Sequence, residues 1–370
     1  MPITKFELTN FRLYERASFQ PDRCLTIVVG ENASGKTSLL EAVHVLSTGR
    51  TFRRVQLEQL LREGTKEFGI YANYHPKDGL LPTGLGFSLS SKGRKISING
   101  SCGTRQRDIA QIFPVLVISP DSHFEFQQDK RERRAVLDWI LFHVEQDFHE
   151  NWSRYQRILA QRNMALKSHR FGKATFAWDE ELASAGEFLH TLRVSCLSEI
   201  SGRFERICRR LLPSSAKVRL ELDLGWDATT GLAGCLRQDR DRDVARGYSH
   251  SGPHRSDLTI LIDGHPSQEN ASHGQNKLLV IALRLAQIEH FYESTGRECC
   301  LLVDDLAAEL DTENRGRLAS FLADMPVQAI ITATDAEQFD CRLWSSYKTF
   351  HVKHGSISEI TSPEIRHQFG

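Results

Sequence analysis

The stretch IVVGENASGKTSLLEAVHVL, residues 27–46, decides the fold. It opens with an apolar run, turns through Gly30 and Gly35, and reaches Lys36 and Thr37 before a second apolar run. The pattern is GxxxxGKT between a buried strand and a helix expected from about Lys36 to Leu46. Each residue type has a physical reason. The glycines let the backbone curl, so the successive N–H groups of Gly30, Glu31, Asn32, Ala33, Ser34 and Gly35 face a phosphate. The helix start adds partial positive charge. Lys36 reaches the β- and γ-phosphates, and the Thr37 hydroxyl is offered to Mg²⁺. A phosphate cradle is the reading, with a nucleotide and Mg²⁺ as the expected ligands.

The chain has 370 residues, which suggests two lobes. Lys plus Arg number 47 and Asp plus Glu number 47, so there is no global basic field, and any nucleic-acid binding must rest on a local patch. The eight cysteines form no CxxC pair, which favours reduced thiols in a cytoplasmic protein over a zinc or disulfide framework. The charged, alternating N-terminal stretch does not read as a signal peptide. No apolar run reaches the roughly 18 residues a membrane span needs, so no membrane partner is expected.

The first 120 residues read mainly as strands, among them ITKFELTNF, LTIVVG, EFGIYANYH, LGFSLSS and KISINGS, the last ending in an Asn99–Gly100 turn. From about Arg131 to Leu212 the spacing is helical. CLRQDRDRDVARG (235–247) alternates charge and predicts a solvated helix laced with ion pairs. The last third alternates strands and helices and closes on a hairpin at Gly355. Strand–helix–strand order predicts a parallel sheet.

A second motif is CCLLVDDLAAELD, 299–311. Its buried strand ends in Asp304, placed to join Thr37 at Mg²⁺, with Asp305 next to orient or deprotonate an attacking water. About 20 residues earlier, ENASHGQNKLLVIALRLAQ (269–287) starts a helix at Ser272, with Gly274 leaving the N–H groups unshielded. That is a second anion site. By itself it is also what any capped helix looks like. Two such sites in one chain make sense if two copies sandwich nucleotides.

In this order, the phosphate loop, the Ser-x-Gly-Gln helix start, the paired acids and the AAELD segment resemble the heads of ABC-type ATPases. More narrowly, the chain resembles the RecF family, related to SMC-type heads. LTNFR (8–12), GRTFR (49–53), RERRAVLDW (131–139), QRNMALK (161–167) and SGPHRSDL (251–258) carry that resemblance. It implies an α/β ABC-ATPase head with a P-loop parallel sheet, N-terminal antiparallel strands and a mainly helical second lobe. The expected lobes are 1–119 with 247–370, and 120–246. It further implies an ATP-dependent homodimer that binds single-stranded and gapped double-stranded DNA in repair, replication restart and SOS induction. A slow ATPase and RecR and RecO as partners complete the picture. Gly30 through Thr37 match the family's phosphate loop; Ser272, Gly274 and Gln275 match its signature. Asp304 and Asp305 match the paired acids, and Asp311 the acid expected to face the other subunit. Three departures stand out. Ala33 sits where many members have Gly, His273 interrupts the signature, and Thr334 lies near a usual switch histidine.

Between Asn151 and Trp178 there are six basic residues and no acidic one: Arg154, Arg157, Arg162, Lys167, Arg170 and Lys173. They are expected to face DNA, while the interleaved aromatics pack inward. Lys130, Arg131, Arg133 and Arg134 form a second basic cluster. His250 and His254, four apart, invite a zinc reading, but Gly-Pro lies between them and no ligand pair completes it, so a structured loop is expected. A transporter ATPase subunit and a P-loop small-molecule kinase remain alternatives on sequence grounds.

Overall fold

The computed structural model describes residues 3–75, 81–168, 173–212, 216–305, 310–336 and 340–360, with only the backbone for 173–177. The chain opens with strands β1 (Ile3–Phe11), β2 (Tyr14–Phe19) and β3 (Leu25–Val29), then helix α1 (Lys36–Thr48). Strands β4 (Glu67–Tyr74), β5 (Thr83–Ser90), β6 (Gly93–Ile98) and β7 (Ser101–Cys102) follow, then α2 (Gln106–Ile112) and β8 (Val115–Ile118). A helical run comprises α3 (Ser122–Gln128), α4 (Lys130–Val144), α5 (Phe148–Lys167) and α6 (Lys173–Leu211). Next come β9 (Val218–Asp223), α7 (Gly231–Gln238), α8 (Arg240–Arg246), β10 (Asp257–Ile262), β11 (His265–Pro266), α9 (Ser267–Asn270) and α10 (His273–Thr295). The chain continues through β12 (Cys299–Val303), α11 (Thr312–Ala323), β13 (Val327–Ala333), β14 (Tyr347–Lys353) and β15 (Ser356–Ile360).

Two compact units result, 1–122 with 296–370 and 123–295. The first holds two six-stranded sheets. One is antiparallel in the order β2-β1-β4-β5-β6-β7; the other runs β15-β14-β3-β13-β12-β8. In the second sheet β14, β3, β13, β12 and β8 are parallel, and β15 closes it antiparallel. The strand types follow from burial. β3, β12 and β13 are buried at every position, as strands covered on both faces must be. β4 buries alternate residues, as a strand with one covered face does. A single apolar core takes side chains from both sheets and from α1, including Phe6, Phe11, Leu39, Leu40, Leu302 and Ile330.

The second unit is mainly helical and carries a small antiparallel sheet, β11-β10-β9. The division differs from the expected lobes by three residues at the first boundary and by 49 at the second. Residues 247–295 group with the helical unit, because β10 pairs along β9 and α10 packs on α6. Segment 235–247 is also a correction. It is not one solvated helix but two short ones, α7 and α8, and Asp243 is fully buried. Among the described residues, no helix is long and apolar enough to cross a membrane.

Candidate functional site

The parallel sheet brings the C-terminal ends of β3, β13 and β12 level, since Val29 pairs with Ala333 and Ile331 with Val303. That end of such a sheet is where ligands bind. The phosphate loop leaves β3 there. Gly30 has φ 155° and Gly35 has φ 121°. A Cβ on Gly30 would press into the Val352 carbonyl, and one on Gly35 would lie 2.9 Å from the Tyr14 hydroxyl. Both positions therefore require glycine twice over, for conformation and for space. α1 starts at Lys36 with Gly35 as its N-cap and no side-chain cap, which leaves its first N–H groups for an anion.

Ala33 has φ 62°, in the left-handed region. The loop keeps the curl a glycine would allow, at the cost of a Cβ in a poor conformation. Ala33→Gly is expected to raise the stability of this unit by about 0.5–1 kcal/mol, read as a higher Tm without nucleotide. An unchanged or lower Tm would mean that the loop bears no strain at this position.

Lys36 is buried, and its Nζ donates to the carbonyls of Gly30 at 2.6 Å and Glu31 at 2.9 Å. Its ammonium thus spans the mouth of the loop. Burial pulls its pKa down, while Asp305 and Asp304 pull it up. Thr37 Oγ1 donates to Asp304 Oδ1 at 2.9 Å. The paired acids and the phosphate loop, 267 residues apart in sequence, therefore meet. Thr37 and Asp304 are hard oxygen donors side by side, a set that suits Mg²⁺. Asp305 follows with φ 42°, its N–H donating to Thr332 Oγ1 at 2.9 Å. Asp311 caps α11 through Asn314 N–H, which holds its carboxyl below the usual range.

Three residues of this site escaped the sequence reading. Thr332, fully buried on β13, donates to Asp304 Oδ1 at 2.8 Å. A threonine near the end of the strand VQAIITA is ordinary by propensity and did not mark it. Tyr14, also fully buried, donates to the Gly35 carbonyl at 2.9 Å, and burial raises its pKa. Glu41, one turn after Thr37 on α1, is fully buried against Arg12, 2.9 Å away. Burial raises the Glu41 pKa, and the Arg12 charge opposes that. This pair ties the LTNFR segment to the helix of the phosphate loop.

The second unit carries the Ser272 helix start. Gln275 N–H donates to Ser272 Oγ at 3.2 Å, and Ser272 N–H donates to Gln275 Oε1 at 2.8 Å. This is a reciprocal capping box. It engages Gln275 Oε1 but leaves the Ser272 hydroxyl proton available, since Oγ only accepts here. A Cβ on Gly274 would meet nothing within 4 Å. Its φ is not positive either. The chain's own packing therefore does not demand a glycine there. His273 Nε2 lies 3.1 Å from His123 Nε2.

The basic stretch of α5 divides. Arg157 and Lys167 are exposed, and Arg154 is exposed in an ion pair with Glu181 at 2.9 Å. Arg162 is a correction, because it is fully buried. Its Nε donates to Asp179 at 2.8 Å, and its Nη1 to Asp243 at 2.6 Å and Ser249 Oγ at 2.7 Å. It cannot meet DNA. Arg170 lies outside the described residues, as does the Lys173 side chain. The second basic cluster also turns inward in part: Arg133 is buried against Asp257 at 2.6 Å, and Arg134 donates to the Ser256 carbonyl. Tyr155 is buried, as expected of the aromatics.

His250 and His254 hold the loop after α8 through hydrogen bonds. His250 Nδ1 is 2.7 Å from Asp243. His254 Nε2 is 3.1 Å from the Ser249 carbonyl, and its Nδ1 is 2.6 Å from the Tyr155 hydroxyl. Burial lowers the His254 pKa to about 4, so the ring is neutral. A carbonyl only accepts, so Nε2 carries the proton and the Tyr155 hydroxyl donates to Nδ1.

Comparison with known proteins agrees with this architecture. The family model described as RecF/RecN/SMC N terminal domain matches residues 2–358. A protein of Aliivibrio salmonicida named DNA replication and repair protein RecF is 35% identical over 361 residues, 97% of this chain and 100% of its own. One of Thioalkalivibrio sulfidiphilus with the same name is 34% identical, over 96% of this chain and 99% of its own. Among solved structures, the recombination mediator protein RecF with ATP superposes with a TM-score of 0.86 at 23% identity, covering 97% of each chain. At that identity the likeness shows the fold. With a family model spanning nearly all of its length and relatives matched end to end, this chain belongs to the RecF family.

Proposed function

We propose that this protein is an ATP-dependent DNA-binding recombination mediator acting in DNA repair, replication restart and SOS induction. The observation that carries the ATP part is the meeting of Thr37 with Asp304 beside a curled glycine loop. The names of the relatives, DNA replication and repair protein RecF, support the rest. The loop N–H groups and Lys36 bind the phosphates. Thr37 and Asp304 would hold Mg²⁺, which when bound would supply positive charge at the phosphate oxygens. Asp305 orients the attacking water and takes its proton. Asp305 is one methylene shorter than a glutamate, and Thr334 lies near where a switch histidine is usual. Turnover is therefore slow, a switch rather than a metabolic ATPase.

Two copies close on ATP, the Ser272 hydroxyl and the helix start of one copy contacting the γ-phosphate held by the other. Gly274, exposed and with open space where a Cβ would lie, keeps that helix start accessible. ATP favours the dimer because the dimer alone supplies those contacts. Gapped and single-stranded DNA binds the dimer, with Arg154, Arg157 and Lys167 among the phosphate contacts. RecR and RecO are the functional partners, and the cytoplasm is the compartment.

Sedimentation velocity tests this reading. ATP is expected to convert monomer to dimer, and gapped DNA to add mass to the dimer. Ser272→Arg should keep ATP binding and lose the dimer. A Ser272→Arg protein that still dimerises with ATP would remove the sandwich.

A further inference from the structure

Two hydroxyls converge on a single carboxylate oxygen. Thr37 Oγ1 and Thr332 Oγ1 both donate to Oδ1 of Asp304, at 2.9 and 2.8 Å. The Thr332 proton is committed to that bond, but its oxygen still accepts, and it takes the backbone N–H of Asp305 at 2.9 Å. Thr332 is fully buried, so no water replaces either bond. A hydroxyl in an all-buried strand is unfavourable unless both its roles are used, and here both are. Asp305 has φ 42°, a conformation non-glycine residues adopt where the surroundings impose it.

We infer that Thr332 is a positioning residue for both acids at once. Its proton holds Oδ1 of Asp304 toward Thr37, which leaves Oδ2 as the oxygen for a cation. Its lone pair holds the turn that presents Asp305. One side chain on β13 therefore couples the acid on the metal side to the acid on the water side. The inference rests on the reading of this loop as an ATP–Mg²⁺ site.

The test is titration of the full-length protein with a fluorescent, slowly hydrolysed ATP analogue, in Mg²⁺ and in EDTA. Thr332→Val keeps the shape and removes the hydroxyl. It is expected to weaken binding about 10-fold in Mg²⁺ and leave binding in EDTA unchanged. Hydrolysis at saturating ATP should fall by about a further 10-fold, because Asp305 loses its anchor. Thr332→Ser should restore both. If Thr332→Val does not fold, Thr332→Ala should give the same split. Equal losses in Mg²⁺ and EDTA, no loss at all, or failure of Thr332→Ser to restore would each overturn the assignment. If the wild-type protein binds no nucleotide, the ATP reading itself falls and the assignment with it. Wild-type binding with an unaffected Thr332→Val overturns the assignment alone.

Discussion

Asp304→Asn is expected to lower ATP turnover by about 100-fold or more with no loss of folding. The substitution is nearly isosteric. Asn Oδ1 still accepts from Thr37 and Thr332, whose hydroxyls lie 2.9 and 2.8 Å from the present Oδ1. The backbone N–H of residue 304 still reaches the Ile118 carbonyl. What disappears is the negative charge beside the Thr37 hydroxyl. In the proposed site a hard divalent cation would be held by that charge, and with it would go several kcal/mol of stabilisation for the phosphate oxygens. The check has two parts. Phosphate release with radiolabelled ATP, suited to slow turnover, should fall to near background. The Tm measured without nucleotide should match the wild type, since no packing or hydrogen bond is lost. Turnover within a few-fold of wild type would place the metal elsewhere. A large drop in Tm would make Asp304 a folding residue and leave its chemistry undecided by this variant.

The phosphate loop was legible because its conformation is local. Glycines at 30 and 35, a buried strand before and a helix after leave one arrangement of the backbone. Even the departure at Ala33 was readable as a position of interest, and the left-handed φ of 62° there gives it content. β12 and its acids were legible for a related reason, an apolar run that stops abruptly at charge. Thr332 was not, because a threonine in a β-strand is ordinary by propensity, and only the pairing of β12 with β13 puts it against Asp304. The extent of the helical unit was missed for the same kind of reason. β10 joins β9 by a pairing between segments far apart in the chain, and alternation within either strand does not name its partner. The Ser272–Gln275 pair was read as an anion-binding signature, and it is also a capping box. A capping box and an anion-binding helix start call for the same residue types, so the hydrogen bonds of the box are those of either.

Arg162→Ala is expected to destabilise the helical unit by about 3–5 kcal/mol, lowering its Tm on the order of 10 °C. The sequence carried a sign of this that composition alone obscured. On α5 the buried positions are Phe148, Tyr155, Ile158, Leu159, Arg162, Ala165 and Leu166. Arg162 falls on that stripe at helical spacing, whereas Arg154, Arg157 and Lys167 fall off it. A cation on the inner stripe must be matched, and Asp179 and Asp243 match it at 2.8 and 2.6 Å, both themselves buried. Each acid has further partners, Arg240 on Asp179 and His250 on Asp243. The guanidinium thus joins α5, α6, α8 and the loop that follows α8. Removing it leaves two buried carboxylates short of charge, which is the costly way to break such a network. Arg162→Lys should rescue little, because a single ammonium lacks the fork that spans both acids. The exposed pair gives the opposite signature. Arg157→Ala with Lys167→Ala should hold Tm within about 1 °C and reduce the salt slope of DNA binding by about 0.9 for each phosphate that is no longer neutralised. If Arg162→Ala instead weakens DNA binding at unchanged Tm, the buried network is not what holds this unit together. If the double variant leaves the salt slope unchanged, the DNA lies on another face of the protein.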